Sequence, residues 1–413
     1  MIKNLLFFQG IYDTIDLFTV SVMQAFEQLG CNCSVLDVCN QDLMMKQLKD
    51  LFEESSIDAV ITFNNIGYNL SLNDKENIWD MAEIPYYNIL MDHPFHYDYA
   101  LRHAPETSIV LCTDKNHVNY VRRFYKNISR VDFLPHAGME TDIAAMAKEG
   151  DCHLTMHGGA LHPRMEDRPI QVLYAGGLSK YVAEGLVPDL GEIQAFDAFS
   201  VTQEVLSELM RHPEQTTEDA IESCLCALGK SYSDEELCRY ITKLRFIDSY
   251  ATSFYREQAV RLLVENDIPV TVFGGGWDQC GWTDHPNLIY AGKVLAPQIL
   301  ELMNHSRIVL NTMTWYKNGI HDRIVNGMLA KALVVTDTSE YLQQEVEAQS
   351  ERVLEYFTLS EIGRLPEQVH GLLQNIRYME EIAENGYRYA KTHHTWLERA
   401  KYILRYDASL ENS

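Results

Sequence analysis

None of the nine cysteines forms a C-x-x-C pair, and their number is odd. Neither a disulfide framework nor a zinc site of ordinary spacing is indicated, and a reducing cytoplasm is the expected compartment. Cations are scarce, with 34 Lys and Arg against 59 Asp and Glu for a net charge of -25. That balance works against nucleic acid, which is held through its phosphate backbone, and against an anionic membrane surface. Arg102 and the Arg122-Arg123 pair are the only early basic candidates. No apolar run approaches the length of a membrane-spanning helix. The run within residues 1–10 is too short for a signal-peptide core, lacks a small-residue cleavage site, and reads as a first buried strand. G-x-G-x-x-G and the P-loop Lys-Ser/Thr are both missing, so dinucleotide hydride transfer and NTP hydrolysis lose their usual warrants. No internal repeat or low-complexity segment occurs.

What is present is an alternation of short apolar runs with helical patterns, the signature of parallel βαβ units. At 413 residues the chain exceeds the size of one core and predicts two domains. Expected strands fall at 4–8, 34–38, 59–63, 87–91, 109–112 and 131–134, then at 170–174, 269–273, 288–290, 307–311, 333–336 and 353–356. Thr19, Val22, Met23 and Phe26 recur at helical spacing before Gly30, a C-terminal cap. The pattern predicts an N-terminal Rossmann-like domain over 1–150, a Gly- and His-containing linker over 151–168, and a second Rossmann-like domain over 169–390. The second domain carries a helical insert at about 186–265. Two helices follow residue 378, and the segment 391–413 is expected to cross back to the first domain.

In open parallel sheets ligands sit at the carboxyl ends of strands. Three loops of the second domain occupy such positions: Tyr174-Ala-Gly-Gly-Leu-Ser-Lys180, Phe273-Gly-Gly-Gly-Trp277, and the stretch 311–323 ending in His321-Asp322-Arg323. Gly176, Gly177, Gly274 and Gly275 either let a phosphate or sugar approach the backbone or simply make tight turns. Trp277 and Trp282 either pack beside the turn or stack on a base or sugar ring. Arg323 lies at the start of a helical stretch, where a cation opposes the helix dipole. An anion held there would remove the conflict, and pairing with Asp322 or another carboxylate is the alternative. The group Cys152, His153, His157 and His162 has no helical pattern to fix it and is not expected to bind metal. His393-His394 reads as part of a surface helix.

The segment from His321-Asp322-Arg323 through Asp337, followed by Ser339-Glu340-Tyr341-Leu342, resembles the donor-site segment of GT-B glycosyltransferases of the spore-maturation-protein-like group. Met91-Asp92-His93-Pro94, the 133–138 stretch, Tyr255-Arg256-Glu257 and the 272–277 stretch are similar to further segments of the same family. Together these islands extend over about 85–345. The resemblance implies an α/β fold of GT-B architecture, two Rossmann-like doubly wound domains facing a central cleft. It also implies that Arg323 and Lys180 neutralise the diphosphate of a nucleotide sugar such as a UDP-sugar, with no metal and no cofactor. Asn311, His321 and Asp322 belong to that donor loop, and Lys293 sits where the family has a loop beside the base. Asn326 matches the position of an acidic ribose-binding residue. That is a departure, since an amide hydrogen-bonds a hydroxyl without charge assistance.

In the first domain Asp92 and His93 end the fourth strand and are the catalytic candidates, as base or as orienting pair. A strand-terminating turn is the bland alternative for them. His136 and Tyr97 are candidates for the acceptor side. The sequence therefore predicts a hexosyltransferase acting from a nucleoside-diphosphate sugar on a hydroxyl of a protein or glycan, without stable membrane insertion. The alternatives are a catalytically silent GT-B partner of a glycosylation complex and a nucleotide-sugar epimerase, which the same fold admits.

Overall fold

The computed structural model describes residues 2–54, 57–71, 76–139, 162–182, 185–313 and 315–410. Within it the chain separates into two compact units, Met1–Met139 with Thr392–Ser413, and Glu140–Lys391.

In the first unit the strands β1 (Asn4–Gln9), β2 (Asn32–Asp37), β3 (Ala59–Phe63), β4 (Tyr86–Leu90), β5 (Ser108–Cys112) and β6 (Arg130–Phe133) form one sheet in the order β2-β1-β3-β4-β5-β6. Every pairing is parallel. β3, β4 and β5 are buried at every residue, as expected of central strands covered on both faces. The chain runs outward from β1 to β2 and then returns to β3, so the β1/β3 crevice is the topological switch point.

The unit is completed by the C-terminal helix Trp396–Leu410, held by contacts distant in sequence. Tyr87 donates to Asp407, Tyr402 donates to Asp132, and the Trp396 ring lies 5.6 Å from both Phe18 and Phe63. His393 is exposed at the end of the helix Ile376–His393, as expected of a surface helix, but the turn that follows corrects that reading for His394. His394 is buried, because Arg399 folds back over the turn and donates to the carbonyls of Pro135, His136 and His393 and to His394 Nδ1.

The second unit holds β7 (Ile170–Ala175), β8 (Val270–Phe273), β9 (Leu288–Tyr290), β10 (Ser306–Asn311), β11 (Leu333–Thr336) and β12 (Glu355–Tyr356), in the order β12-β11-β10-β7-β8-β9. It too is parallel throughout. β12 is shorter than the apolar run 353–356 suggests, because only Glu355 and Tyr356 reach ladder positions against β11. The switch point is the β7/β10 crevice. Between β7 and β8 the chain is helical over Ala198–Arg211, Thr217–Ala227, Asp234–Leu244 and Phe246–Glu265, as the sequence predicts. The last of these returns the chain to the sheet, burying Ala259, Val260, Leu263 and Val264 against the β7–β8 face. Among the described residues no helix is long and apolar enough to cross a membrane.

Replacing Arg399 with Ala leaves the buried His136 carbonyl and the partly buried Pro135 and His393 carbonyls without this donor. It is expected to lower the stability of the first unit by roughly 2–4 kcal/mol. Chemical denaturation followed by intrinsic fluorescence measures this, and a midpoint equal to wild type would contradict it.

Candidate active site

The β7/β10 switch point is built from four segments of the second unit. At its floor, Tyr174 at the end of β7 and Thr312 just past β10 share a hydrogen bond of 2.8 Å between hydroxyls. Asn311, fully buried, donates to Thr336 on β11 and presents its carbonyl oxygen to Arg323 Nη1 at 2.7 Å.

Arg323 lies in the first turn of the helix Asp322–Leu329 and is only 8% exposed. Its Nη2 lies 3.0 Å from His321 Nε2. His321 Nδ1 caps the helix by accepting from Arg323 N at 3.1 Å. Nδ1 is 2.6 Å from Asp322 Oδ1. His321 thus contacts both the backbone N–H and the guanidinium of Arg323, and Asn326 donates to the other oxygen of Asp322. Asn326, buried in the helix, therefore steadies the chain of contacts that aims Arg323. Asp322 is committed to His321, and among the described residues no carboxylate lies within ion-pair distance of Arg323.

The glycine loops are explained largely by each other. A Cβ on Gly274, whose φ is +122°, would come within 2.6 Å of Gly177 N, and one on Gly177 would meet Gly275 O at 3.0 Å. Gly176 N donates to Phe273 O and Leu178 N donates to Gly275 O, which locks the two loops backbone to backbone. Glycine here allows loop to meet loop, and ligand approach is not what these positions require. Trp277 is a correction of the same kind. Its indole is fully buried and donates to Gly176 O, so it props the β7 loop from below and offers no ring face to a base or sugar. Lys180 is engaged by Glu257, which also accepts from Trp282 and Tyr181. Lys293 is exposed, in the loop that follows β9.

Two residues of this site escape a reading by motif. Arg256, in the middle of the helix Phe246–Glu265, is 9% exposed and donates to Gly177 O at 2.8 Å. Its guanidinium lies 4.7 Å from the centre of the Trp315 ring, a cation-π contact. Burial, the largest cause, pulls its pKa down to about 10, and nearby Arg323 acts the same way against Tyr174, Asp248 and Asp337. Trp315 also meets the His321 ring edge-on at 5.4 Å. An Arg flanked by Tyr255 and Glu257 inside a helical pattern reads as surface. The signal that betrays it is the lack of a polar stripe on that helix, which is buried at eleven positions.

In the first unit Asp92 stands partly exposed beyond β4, accepting from Tyr97 at 2.7 Å and from Asn64 at 3.4 Å. Asn64 and Asn65, directly after β3, both adopt left-handed backbone, with φ of 49° and 66°. Asn65 is held there by reciprocal bonds with Asn88, and Asn64 Oδ1 accepts from Met91 N. Two successive left-handed non-glycine residues are costly and concentrate at functional positions. His93 and His136 need correction as exposed site residues. His93 caps the turn Pro94–Tyr97 by accepting from Phe95 N and stacks on Phe95 with ring centroids 3.7 Å apart. Burial drives its pKa well below the ordinary histidine value, so it stays neutral. His136 is buried against Phe18, and its carbonyl serves Arg399. Cys152, His153 and His157 lie outside the described residues. Among the described residues no three His, Cys, Asp or Glu side chains are grouped to hold a metal ion.

Residues 255–405, which include Arg256, the whole 311–323 loop and Arg323, match a family model described as Glycosyl transferase-like. Over this stretch the chain is similar to glycosyl transferases. The match gives that general description and not the spore-maturation-protein-like subgroup. No curated protein matches the sequence. Among solved structures, sucrose-phosphate synthase from Thermosynechococcus elongatus aligns over 99% of both chains at 9% identity with a TM-score of 0.53, which is a likeness of fold. HepE from Anabaena in complex with UDP aligns over 99% of this chain and 100% of its own at 12% identity, TM-score 0.48. The T4 phage BGT with its UDP-glucose substrate aligns over 96% and 98% at 11% identity, TM-score 0.44. The two parallel sheets are those of the GT-B architecture.

Asp337, buried at the end of β11, accepts from Met313 N at 2.6 Å. Burial pushes its pKa up to about 6, against the opposing pull of Met313, Lys317, Thr336 and Arg323. The folded state therefore binds this proton more tightly than the unfolded chain does. The stabilisation this provides is complete below the unfolded carboxyl pKa and is lost as pH rises through about 6. Asp337→Asn keeps an acceptor for Met313 and removes the charge. It is expected to stabilise the fold by on the order of 1–3 kcal/mol at pH 7.5 and by much less at pH 5. Melting temperatures at the two pH values test this, and a gain that is equal at both or absent would refute it.

Proposed function

We propose that this glycosyltransferase moves a sugar from a nucleoside-diphosphate sugar to a hydroxyl of a protein or glycan acceptor, and does so without a metal ion. The family match supplies the reaction class. The observation that supports the donor is Arg323: a buried guanidinium at the switch point of a parallel sheet, held by Asn311 and His321, with no carboxylate in ion-pair range among the described residues. Burying a cation without a counter-ion is costly, and a diphosphate completes the charge balance. As the bond between the anomeric carbon and the diphosphate oxygen breaks, negative charge grows on the leaving phosphate. A fixed guanidinium stabilises that charge without reorganising. On the acceptor side, Asp92 has the exposure and chemistry of a base for the attacking hydroxyl, with Tyr97 and Asn64 orienting it.

Arg323→Ala is expected to weaken nucleoside-diphosphate binding roughly 10- to 150-fold, the range of a charge-assisted hydrogen bond. Arg323→Lys should recover only part, because a point charge does not reproduce a planar fork. Isothermal titration of the folded variants decides this, and wild-type affinity in the alanine variant would move the donor site elsewhere. Asp92→Asn should depress turnover far more than donor affinity, and transfer should persist in a chelator. Equal losses in both quantities, or activity restored only by added magnesium or manganese, would overturn the respective part of the reading.

A further inference from the structure

We infer that Arg256 is a second diphosphate-binding residue, so that the donor phosphates are held between two guanidiniums presented by different elements, the helix Phe246–Glu265 and the 311–323 loop with its helix. The inference rests on the donor-site reading above and extends it to a residue of the helix that returns from the insert.

The surroundings of Arg256 do not account for its charge. Of its donors, Nη1 reaches one backbone carbonyl, that of Gly177, while Nε is buried without a hydrogen-bond partner. Among the described residues no carboxylate comes within ion-pair distance of it. Its positive charge is supported by the Trp315 face and, from beyond ion-pair distance, by Asp248 and Asp337. A neutral side chain would satisfy a single carbonyl equally well, so a purely structural role leaves the guanidinium unexplained.

The direction of the unsatisfied charge is also defined. A Cβ on Gly176 would lie in ordinary contact, 3.5 Å from the Arg256 Cζ, which places the guanidinium directly beside this residue just past the carboxyl end of β7. Arg323 meets the same strand end from the other side, its Cζ 6.0 Å from the Tyr174 ring centre. Two buried cations thus converge on the last residues of one strand, at the crevice where parallel sheets bind ligands. Like charges so placed repel, and among the described residues neither has an acid within ion-pair distance, although Asp337 acts on both from farther off. An anion with two phosphoryl groups relieves both, with one guanidinium for each. The contrast with Lys180 is informative: the cation of the same loop that does have an acid, Glu257, is neutralised in place.

The test uses the full chain with inorganic pyrophosphate and UDP as probes, in wild type, Arg256→Gln, Arg256→Lys and Arg323→Ala. Glutamine keeps an N–H donor for Gly177 O and removes the charge. Arg256→Gln is expected to melt no lower than wild type, since an uncompensated buried charge has gone, and to bind both probes at least 10-fold more weakly. Arg256→Lys should recover part of the affinity. Loss of affinity in Arg323→Ala with wild-type affinity in Arg256→Gln would overturn this inference and leave the donor-site reading standing. Unchanged affinity in both variants would overturn both. An Arg256→Gln protein that melts several degrees lower yet binds as wild type would make Arg256 a structural donor to Gly177 and nothing more.

Discussion

The second unit is organised around the burial of cationic charge that it does not itself neutralise. Arg256 and Arg323 are each at least nine-tenths buried, and neither has an acid within ion-pair range among the described residues. Charges in such a place are expensive. They persist because the elements around them are fixed by independent packing: the helix Phe246–Glu265 by its apolar face on β7 and β8, Arg323 by Asn311 from β10 and His321 from the helix cap. Trp277 braces the carbonyl of Gly176, and the interlocked glycines brace Gly177, whose carbonyl receives Arg256. The sheet and its loops therefore store, in the empty site, a field directed at the β7/β10 crevice. A site preorganised in this way does not have to reorient its dipoles when charge develops on a leaving group.

The first unit holds backbone strain in place of charge. Asn64 and Asn65 occupy left-handed conformations at the β1/β3 switch point, stabilised by a reciprocal side-chain pair with Asn88 and by the amide of Met91. Their effect is to place the Asn64 amide beside Asp92, where Tyr97 also donates. Asp92 is thus oriented by two neutral donors and partly open to solvent, whereas His93 is buried. The C-terminal helix matters here because Arg399 and Trp396 tie the 135–136 turn and the β3 side of the core into one body.

How much of this could be read from residues alone follows from the kind of signal each feature leaves. The central strands β3, β4, β5, β10 and β11 are continuous apolar runs because parallel strands are covered on both faces, so they are plain in the sequence. Arg323 was legible for a second reason: a cation in the first turn of a helix contradicts the dipole, and contradictions mark sites. Arg256 leaves no such mark, since a lone Arg beside a Glu within a helix is the commonest of surface patterns. Its burial is set by the insert folding back on the sheet, which is tertiary. The glycines misled in the opposite direction. Consecutive glycines after a strand signal close approach, and the approach is real, but the partner is another loop of the same chain. His93, His136 and His394 failed together because an isolated histidine gives no indication of its burial, which neighbours such as Phe95, Phe18 and Arg399 decide.

A chain with a net charge of -25 is a poor attractor for an anionic donor at long range. Recognition of a diphosphate must then come from short-range, desolvated contacts. The sorting of cations in this unit has that character. Lys180, a strongly hydrated ammonium on a flexible stem, is paired with Glu257, while the two unpaired positions are held by guanidiniums. Guanidinium is the more weakly hydrated cation and presents a rigid, planar set of donors, so it loses less on burial and keeps its geometry without a counter-ion. Trp315 supports Arg256 through its ring face, and Tyr174 lies at the same strand end as Arg323. Aromatic faces attract a cation without supplying the full negative charge that would compete with a phosphate. An acid at either position would stabilise the empty protein more and bind the donor less. That no acid lies within ion-pair distance of Arg256 or Arg323 among the described residues, in a chain so rich in acids, accords with the phosphate-binding role proposed for them.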